Sequence, residues 1–226
     1  MFIGHFAPAF AVRAISDDAP KLGVLFVAAQ LVDWAFFLFV LLGVEQMRIV
    51  PGITAMNPLD FFDYPITHSL LGTAAWAAGF AILIFALSRN AIGAALAGGV
   101  VMSHWLLDWI SHRPDLTLMG SGEHYGLGLW NHPAAAILIE LAITLGAFAL
   151  YLKRTKGPIV PAYLLMAVLL IAQAVNWFGP PPATVDGEFM ATGLAAFAVI
   201  TLLAVWVGSS RWHKREVGLA VASPPR

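Results

Sequence analysis

The stretch Leu22–Val44, "LGVLFVAAQLVDWAFFLFVLLGV", holds one charged side chain, Asp33, among aliphatic and aromatic residues. About 20 apolar residues in a helix cross the ~30 Å hydrocarbon core of a bilayer. Similar runs lie at Ile66–Leu87, Ala91–Ile110, Ala134–Leu152, Ile159–Phe178 and Phe189–Gly208, and a shorter one at Phe2–Ile15. The chain of 226 residues is 60% hydrophobic and 11% charged, whereas soluble domains are about 25% charged. The expected fold is therefore an all-α polytopic membrane helix bundle. It has six transmembrane helices and a short N-terminal helix, either amphipathic or re-entrant. One bundle domain is expected over residues 1–210, with a fraying, polar, cytoplasmic tail over 211–226.

Cysteine is absent, which excludes disulfides and thiolate metal sites. The opening "MFIGHFAPAFAVR" lacks a basic n-region and an A-x-A site, so a cleaved signal peptide is not expected. The net charge of −1 marks out no partner, and no nucleic acid is expected. Membrane lipid is the expected partner.

The basic residues orient the bundle. Arg13 and Lys21, then Arg89, then Lys153, Arg154 and Lys156, then Arg211, Lys214 and Arg215 fall in alternate connections. Basic loops stay on the cytoplasmic side. The expected setting is a bacterial inner membrane with a cytoplasmic C-terminus. The connections Glu45–Pro65 and Arg113–Asn131 then face outward.

A carboxylate at the centre of a spanning helix costs about 2.5–3.5 kcal/mol on insertion scales and usually marks function. Three such residues occur, Asp33, Asp108 and Glu140. Glu140 alone is equally well read as structural glue. "SHWLLDWISHRPD" (Ser103–Asp115) adds His104 and His112 to Asp108 at steps of four. Such steps keep all three on one helical stripe, climbing about 6 Å each. This suits two ions with Asp108 between them, or one ion and a proton carrier. Tyr64-Pro65 predicts a turn into a helix with His68 in its first turn. His5, Asp33, His68, His104, Asp108 and His112 are thus expected to face one cavity in the outer leaflet. Imidazole and carboxylate without thiolate suit zinc, manganese or iron.

These residues also carry a resemblance. "GH" at 4–5, Asp33, "THSLLG" at 67–72, "SHWLLDWISHRPDL" at 103–116, "GLGLWN" at 126–131 and "NWFGPPP" at 176–182 together resemble a bacterial family. It is the membrane-bound metal-dependent hydrolases of the inner membrane, the LexA-regulated YdjM type. The resemblance implies a hydrolase whose histidines and aspartates fall on His5, Asp33, His68, His104 and Asp108. Relatives often carry "HRG-x-THS", where this chain has "DYPITHS". One histidine and one arginine are missing, and Asp63 is the residue that could fill the gap.

Other enzyme classes fit less well. The chain lacks the arginine-bearing motif of a phosphatidic-acid-type phosphatase and the Glu-Glu-x3-Arg helix of a CAAX-type protease. Ser69 and Ser103 adjoin histidines in sequence, but neighbours on a helix point about 100° apart. The expected function is a metal-dependent hydrolase, zinc most of all, acting on a lipid or lipid-linked substrate. His5, His68, His104 and Asp108 are the expected ligands, with Asp33 a ligand or its support. His112 or Asp63 is the expected general base or proton shuttle. The competing class is non-enzymatic, either a proton or metal-ion pathway or a metal-stabilised scaffold subunit.

Overall fold

A computed structural model describes residues 1–214. Six helices are long and apolar enough to cross a membrane. They are α2 (Leu22–Leu41), α4 (Leu70–Ser88), α5 (Ala91–Ser111), α6 (Pro133–Arg154), α7 (Val160–Phe178) and α8 (Gly187–Ser210). α1 (Ala7–Ile15) and the single turn α3 (Pro65–His68) complete the helices. Large aliphatic side chains cover the outside, among them Ile82, Leu87, Leu138, Ile171 and Leu202, each at least 65% exposed. Soluble monomers rarely expose apolar surface on this scale, and lipid is its natural neighbour.

The N-terminal segment lies inside the bundle. A 3₁₀ turn, Ile3–Phe6, runs into α1, and no residue from Ile3 to Ala14 is exposed. Phe10 of α1 packs its ring against Phe26, Phe148 and Tyr151. A helix lying along a membrane surface would keep one face free. This one is surrounded by α2, α5 and α6, so the re-entrant alternative describes it better.

Small residues set the helix spacing. Gly98 of α5 approaches Ala77 and Ala81 of α4, and a β-carbon on Gly98 would sit 3.1 Å from the Ala77 carbonyl. Neighbouring Gly99 faces open space, so of the pair only Gly98 serves this packing. Gly23 plays the same part between α2 and α8.

Two features depart from the sequence expectations. The connection after α2 contains an antiparallel hairpin, β1 (Gln46–Ile49) and β2 (Leu59–Asp63). The end of the chain does not fray at Arg211. β6 (Trp212–His213) pairs with β5 (Thr155–Lys156), after β3 (Leu116–Thr117) and β4 (His124–Tyr125) pair in the loop beyond α5. The Arg211 guanidinium is buried and donates to the carbonyls of Thr155, Gly157 and Pro158. A buried guanidinium with this many acceptors is a fixed strut, since each unmet donor would cost desolvation energy. Arg215 and the rest of the tail lie outside the described residues.

These contacts also gather the basic connections at one end. Asn90, beside Arg89, bonds Asp18, and His213 meets Ala14 and Asp17. The hairpin and the loop beyond α5 lie at the other end.

Gly23→Val tests the packing. A β-carbon there would lie 2.9 Å from Val205 Cα, and backbone cannot swing aside. Overpacking of this kind costs about 1–3 kcal/mol. The thermal midpoint in detergent should fall for Gly23→Val and stay near wild type for Gly99→Val.

Candidate metal centre

Each functional side chain is delivered by a different local device. Asp33 projects from the second half of α2. His104 and Asp108 share the stripe on α5, and His112 is the residue that caps that helix. The C-terminal carbonyls of α5 would be orphaned without partners. The "GLGLWN" loop supplies them: Leu127 N–H donates to Trp109 and Gly128 N–H to His112. Gly126 lies so close that a β-carbon there would meet the His112 carbonyl at 2.6 Å, and Trp130 stacks 4.2 Å from the His112 ring.

His68 ends the single turn α3. The sequence predicts one continuous helix from Ile66, yet the chain breaks at Ser69, whose backbone is extended (ψ 154°). The Ser69 hydroxyl accepts from Gly72 N–H and so starts α4. This break aims His68 inward. His5 is held by a separate clamp. Glu140 Oε1 accepts from the amides of Phe2 and Gly4, and Gln173 Oε1 accepts from Ile3. Glu140 therefore acts as glue for the segment that carries His5.

The side chains converge on Asp108. Its Oδ1 faces His5 Nε2 at 3.0 Å and His112 Nε2 at 3.5 Å. Its Oδ2 faces His104 Nε2 at 3.1 Å and His68 Nε2 at 3.8 Å. Asp33 Oδ1 lies 3.3 Å from His68 Nε2 and 3.5 Å from His104 Nε2. The Met1 nitrogen also lies 3.0 Å from Asp108 Oδ1. His5, His68, His104, Asp108 and His112 are each at most 4% exposed. The rings of His68 and His104, from different helices, are 5.5 Å apart between centroids.

The structure thus brings together His5, Asp33, His68, His104, Asp108 and His112. Asp63 stands apart. It is exposed at the end of β2 and its carboxylate makes no hydrogen bond or ion pair among the described residues. With His68, Asp115 and His124 it borders a separate small cavity of about 60 Å³.

The donor set fits a divalent cation. His104 Nδ1 lies 2.8 Å from the Ala29 carbonyl, which can only accept. Nδ1 therefore carries a proton, and Nε2 is the ring nitrogen that points inward. That Nε2 is buried with no hydrogen-bond partner. His68 Nδ1 meets Thr67 Oγ1 at 2.7 Å, and Thr67 donates its proton to Glu45 Oε2. His112 Nδ1 meets the Asp115 carboxylate at 3.0 Å. These are the outer hydrogen bonds by which metal-ligating histidines are oriented. A neutral ring in each of these positions would point its Nε2 lone pair at a carboxylate oxygen, acceptor against acceptor. A proton or a cation between them removes the conflict. Ligand bonds of about 2.0–2.2 Å in a tetrahedral site give ligand-to-ligand edges of about 3.3–3.6 Å. The separations above cluster around that value. Two overlapping groups, His5–His104–Asp108 and Asp33–His68–His104, each place their ligand atoms within 4.8 Å of one another.

The surroundings favour positive charge. Burial pulls the His112 imidazole down, but Asp115 and Asp108 more than offset it and hold its pKa at about 9. Burial and the Asp115 carboxylate push the Tyr64 phenol well above its usual range. Tyr64 therefore remains a donor to Asp115, at 2.9 Å.

Glu45, Thr67, Asp115 and the Ala29 carbonyl do not stand out in the sequence. Glu45 and Asp115 lie in loops, where carboxylates are ordinary, and a backbone carbonyl has no signature. Comparison of the chain with family models, with curated proteins and with solved structures found no match.

Thr67→Val keeps the side chain's shape and removes the hydroxyl between Glu45 and His68. Divalent-ion affinity is expected to fall about 10–100-fold, read by competition with a chromogenic chelator. Helical circular dichroism should not change.

Proposed function

We propose that the chain is a metal-dependent hydrolase in which Asp108 and the histidines around it would hold a pair of divalent ions. The carrying observation is that the two oxygens of Asp108 face two separate sets of imidazoles. One ion would be held by His5 and Asp108 Oδ1, with His112 beside them. The other would take Asp33, His68, His104 and Asp108 Oδ2. His104 serves one ion, because its Nδ1 is committed to Ala29 and one lone pair remains. The ligand chemistry suits zinc first, with manganese or iron as alternatives. The motifs that resemble membrane-bound metal-dependent hydrolases carry His5, Asp33, His68, His104 and Asp108, which supports the reading.

Such a pair of ions would furnish a nucleophile at neutral pH and stabilise the oxygens of a displacement. The protein's own part is to fix the ligands and to move a proton. His112 is the candidate for that movement if it is released from an ion, since Asp115 and Tyr64 would steady its protonated ring. Asp63, the other candidate, makes no hydrogen bond or ion pair with the cluster among the described residues and borders the small cavity beside His68. A proton or ion pathway needs polar groups through the other half of the bundle. There the core holds Phe10, Leu25, Phe26, Ala97 and Leu165, all fully buried and apolar.

The basic connections gathered at one end support a bacterial inner-membrane setting with that end in the cytoplasm. The cluster would then lie in the outer-leaflet half. A reporter fused to the C-terminal end should be active in the cytoplasm alone.

Metal stoichiometry is the decisive measurement. Purified protein, stripped with chelator and re-exposed to zinc, should bind two ions per chain. His5→Ala should bind one fewer, and Asp108→Asn should lose most of both while still inserting. Full occupancy in Asp108→Asn would rule out a centre held by Asp108. Hydrolysis of an ester panel should follow zinc content across the same variants.

A further inference from the structure

A cavity of about 450 Å³ adjoins the cluster. Asp33, His68, Asp108 and His112 form part of its wall. Most of the rest is apolar, with Phe36 and Phe37 of α2, Phe61 of β2, Trp177 of α7 and Phe189 of α8. The volume exists because small residues face it, Ala172 on α7 and Gly193 and Ala196 on α8. Gly193 has no alternative, since a β-carbon there would collide with the Phe37 ring.

The charges at this cavity limit what can enter. No lysine or arginine lines it among the described residues. The arginines of the flanking loops, Arg48 and Arg113, are both bound to buried Asp60. Glu140 borders the cavity too, but its Oε1 is already taken by two backbone amides. Apart from the Met1 ammonium, already held by Asp108, and the uncharged Asn57, Asn176 and Thr192, a free anionic head group would find no partner along the walls. A hydrocarbon chain would find one everywhere, and 450 Å³ is of the size that ligand pockets have.

We infer that this cavity binds the hydrocarbon chain of an amphiphile whose polar end sits at the His/Asp cluster. The substrate class is a long-chain lipid in which the hydrolysed bond joins that chain to its head. This rests on the hydrolase reading. The cavity itself is a property of the fold and is tested without turnover.

The probes are zinc-loaded full-length protein in detergent and a series of alkyl hydroxamates from acetohydroxamate to dodecanohydroxamate. The hydroxamate head chelates zinc, and the tail varies alone. In wild type the affinity should climb with chain length, up to about fourfold per buried methylene, and level off once the cavity is full. Ala196→Phe and Ala172→Phe put a ring into the cavity from α8 and α7, at positions that are not among the proposed ligands. Both should level off at shorter chains, with acetohydroxamate affinity and zinc content as in wild type. An identical climb in wild type and both variants would mean that the tail enters the micelle, and would overturn the proposal. A diazirine-bearing dodecanol, which needs no metal, supplies the second measurement. It should crosslink to α7 and α8 at cavity-lining residues such as Trp177 and Phe189, and less so in Ala196→Phe. Crosslinks confined to outward-facing residues such as Ile82 and Leu202 would overturn the assignment even if every variant hydrolysed esters.

Discussion

A carboxylate with both oxygens turned toward imidazole nitrogens, deep among apolar helices, is the constraint on which this structure depends. Asp108 is 2% exposed. An unpaired charge there would be several kcal/mol too costly to keep, so positive charge or strong donors must reach it. Meeting that need draws four parts of the chain to one point: the N-terminal segment, α2, the short turn α3 and the end of α5. The re-entrant course of residues 3–14 follows from it. His5 can reach Asp108 only if its segment enters the bundle. Entering strips three backbone amides of water, and Glu140 and Gln173 replace what water supplied. A residue that looks like a functional carboxylate is thereby explained as a clamp.

The outer hydrogen bonds turn a cluster into a site. Three histidines hand their Nδ1 proton to three different acceptors: a backbone carbonyl, a hydroxyl backed by Glu45, and a carboxylate. Each choice fixes ring orientation and tautomer together. Mutual attraction among six ionisable groups could be met by many arrangements. Acceptors on the far side of each ring leave one arrangement, with the Nε2 nitrogens pointed inward. Buried polar networks confer such uniqueness only when their members are satisfied, and the partnerless Nε2 of His104 is the member that a cation would satisfy.

The sequence makes some of this legible and hides the rest for physical reasons. The spanning helices are plain because each is a long run with almost no charge. The stripe of His104, Asp108 and His112 is plain because a helix repeats nearly every four residues. The break at Ser69 is hidden inside an apolar run, although a serine before "LLG" is an N-cap signal that the run outweighs. The hairpin β1–β2 is hidden because its strands are short and sit in a loop judged by its polarity. Glu45 and Thr67 are 22 residues apart, and a contact across that distance leaves no local pattern. The docking of Arg211 is hidden for a different reason. Its basic character points to solvent, while its acceptors are main-chain carbonyls with no residue type of their own.

Comparing the buried carboxylates separates stabilisation from function. Glu140 and Asp108 are of similar depth and burial, at 4% and 2% exposed. Glu140 meets two main-chain N–H groups, donors that never leave and never titrate, so its charge is satisfied by the fold alone. Asp108 instead meets the Met1 ammonium and four imidazoles. His68, His104 and His112 are each held from behind by another acceptor, so their inward nitrogens can trade a proton for a cation without the rings turning. The amides on Glu140 permit no such exchange. That difference in partners, at equal burial, is what sets the Asp108 cluster apart from the Glu140 clamp.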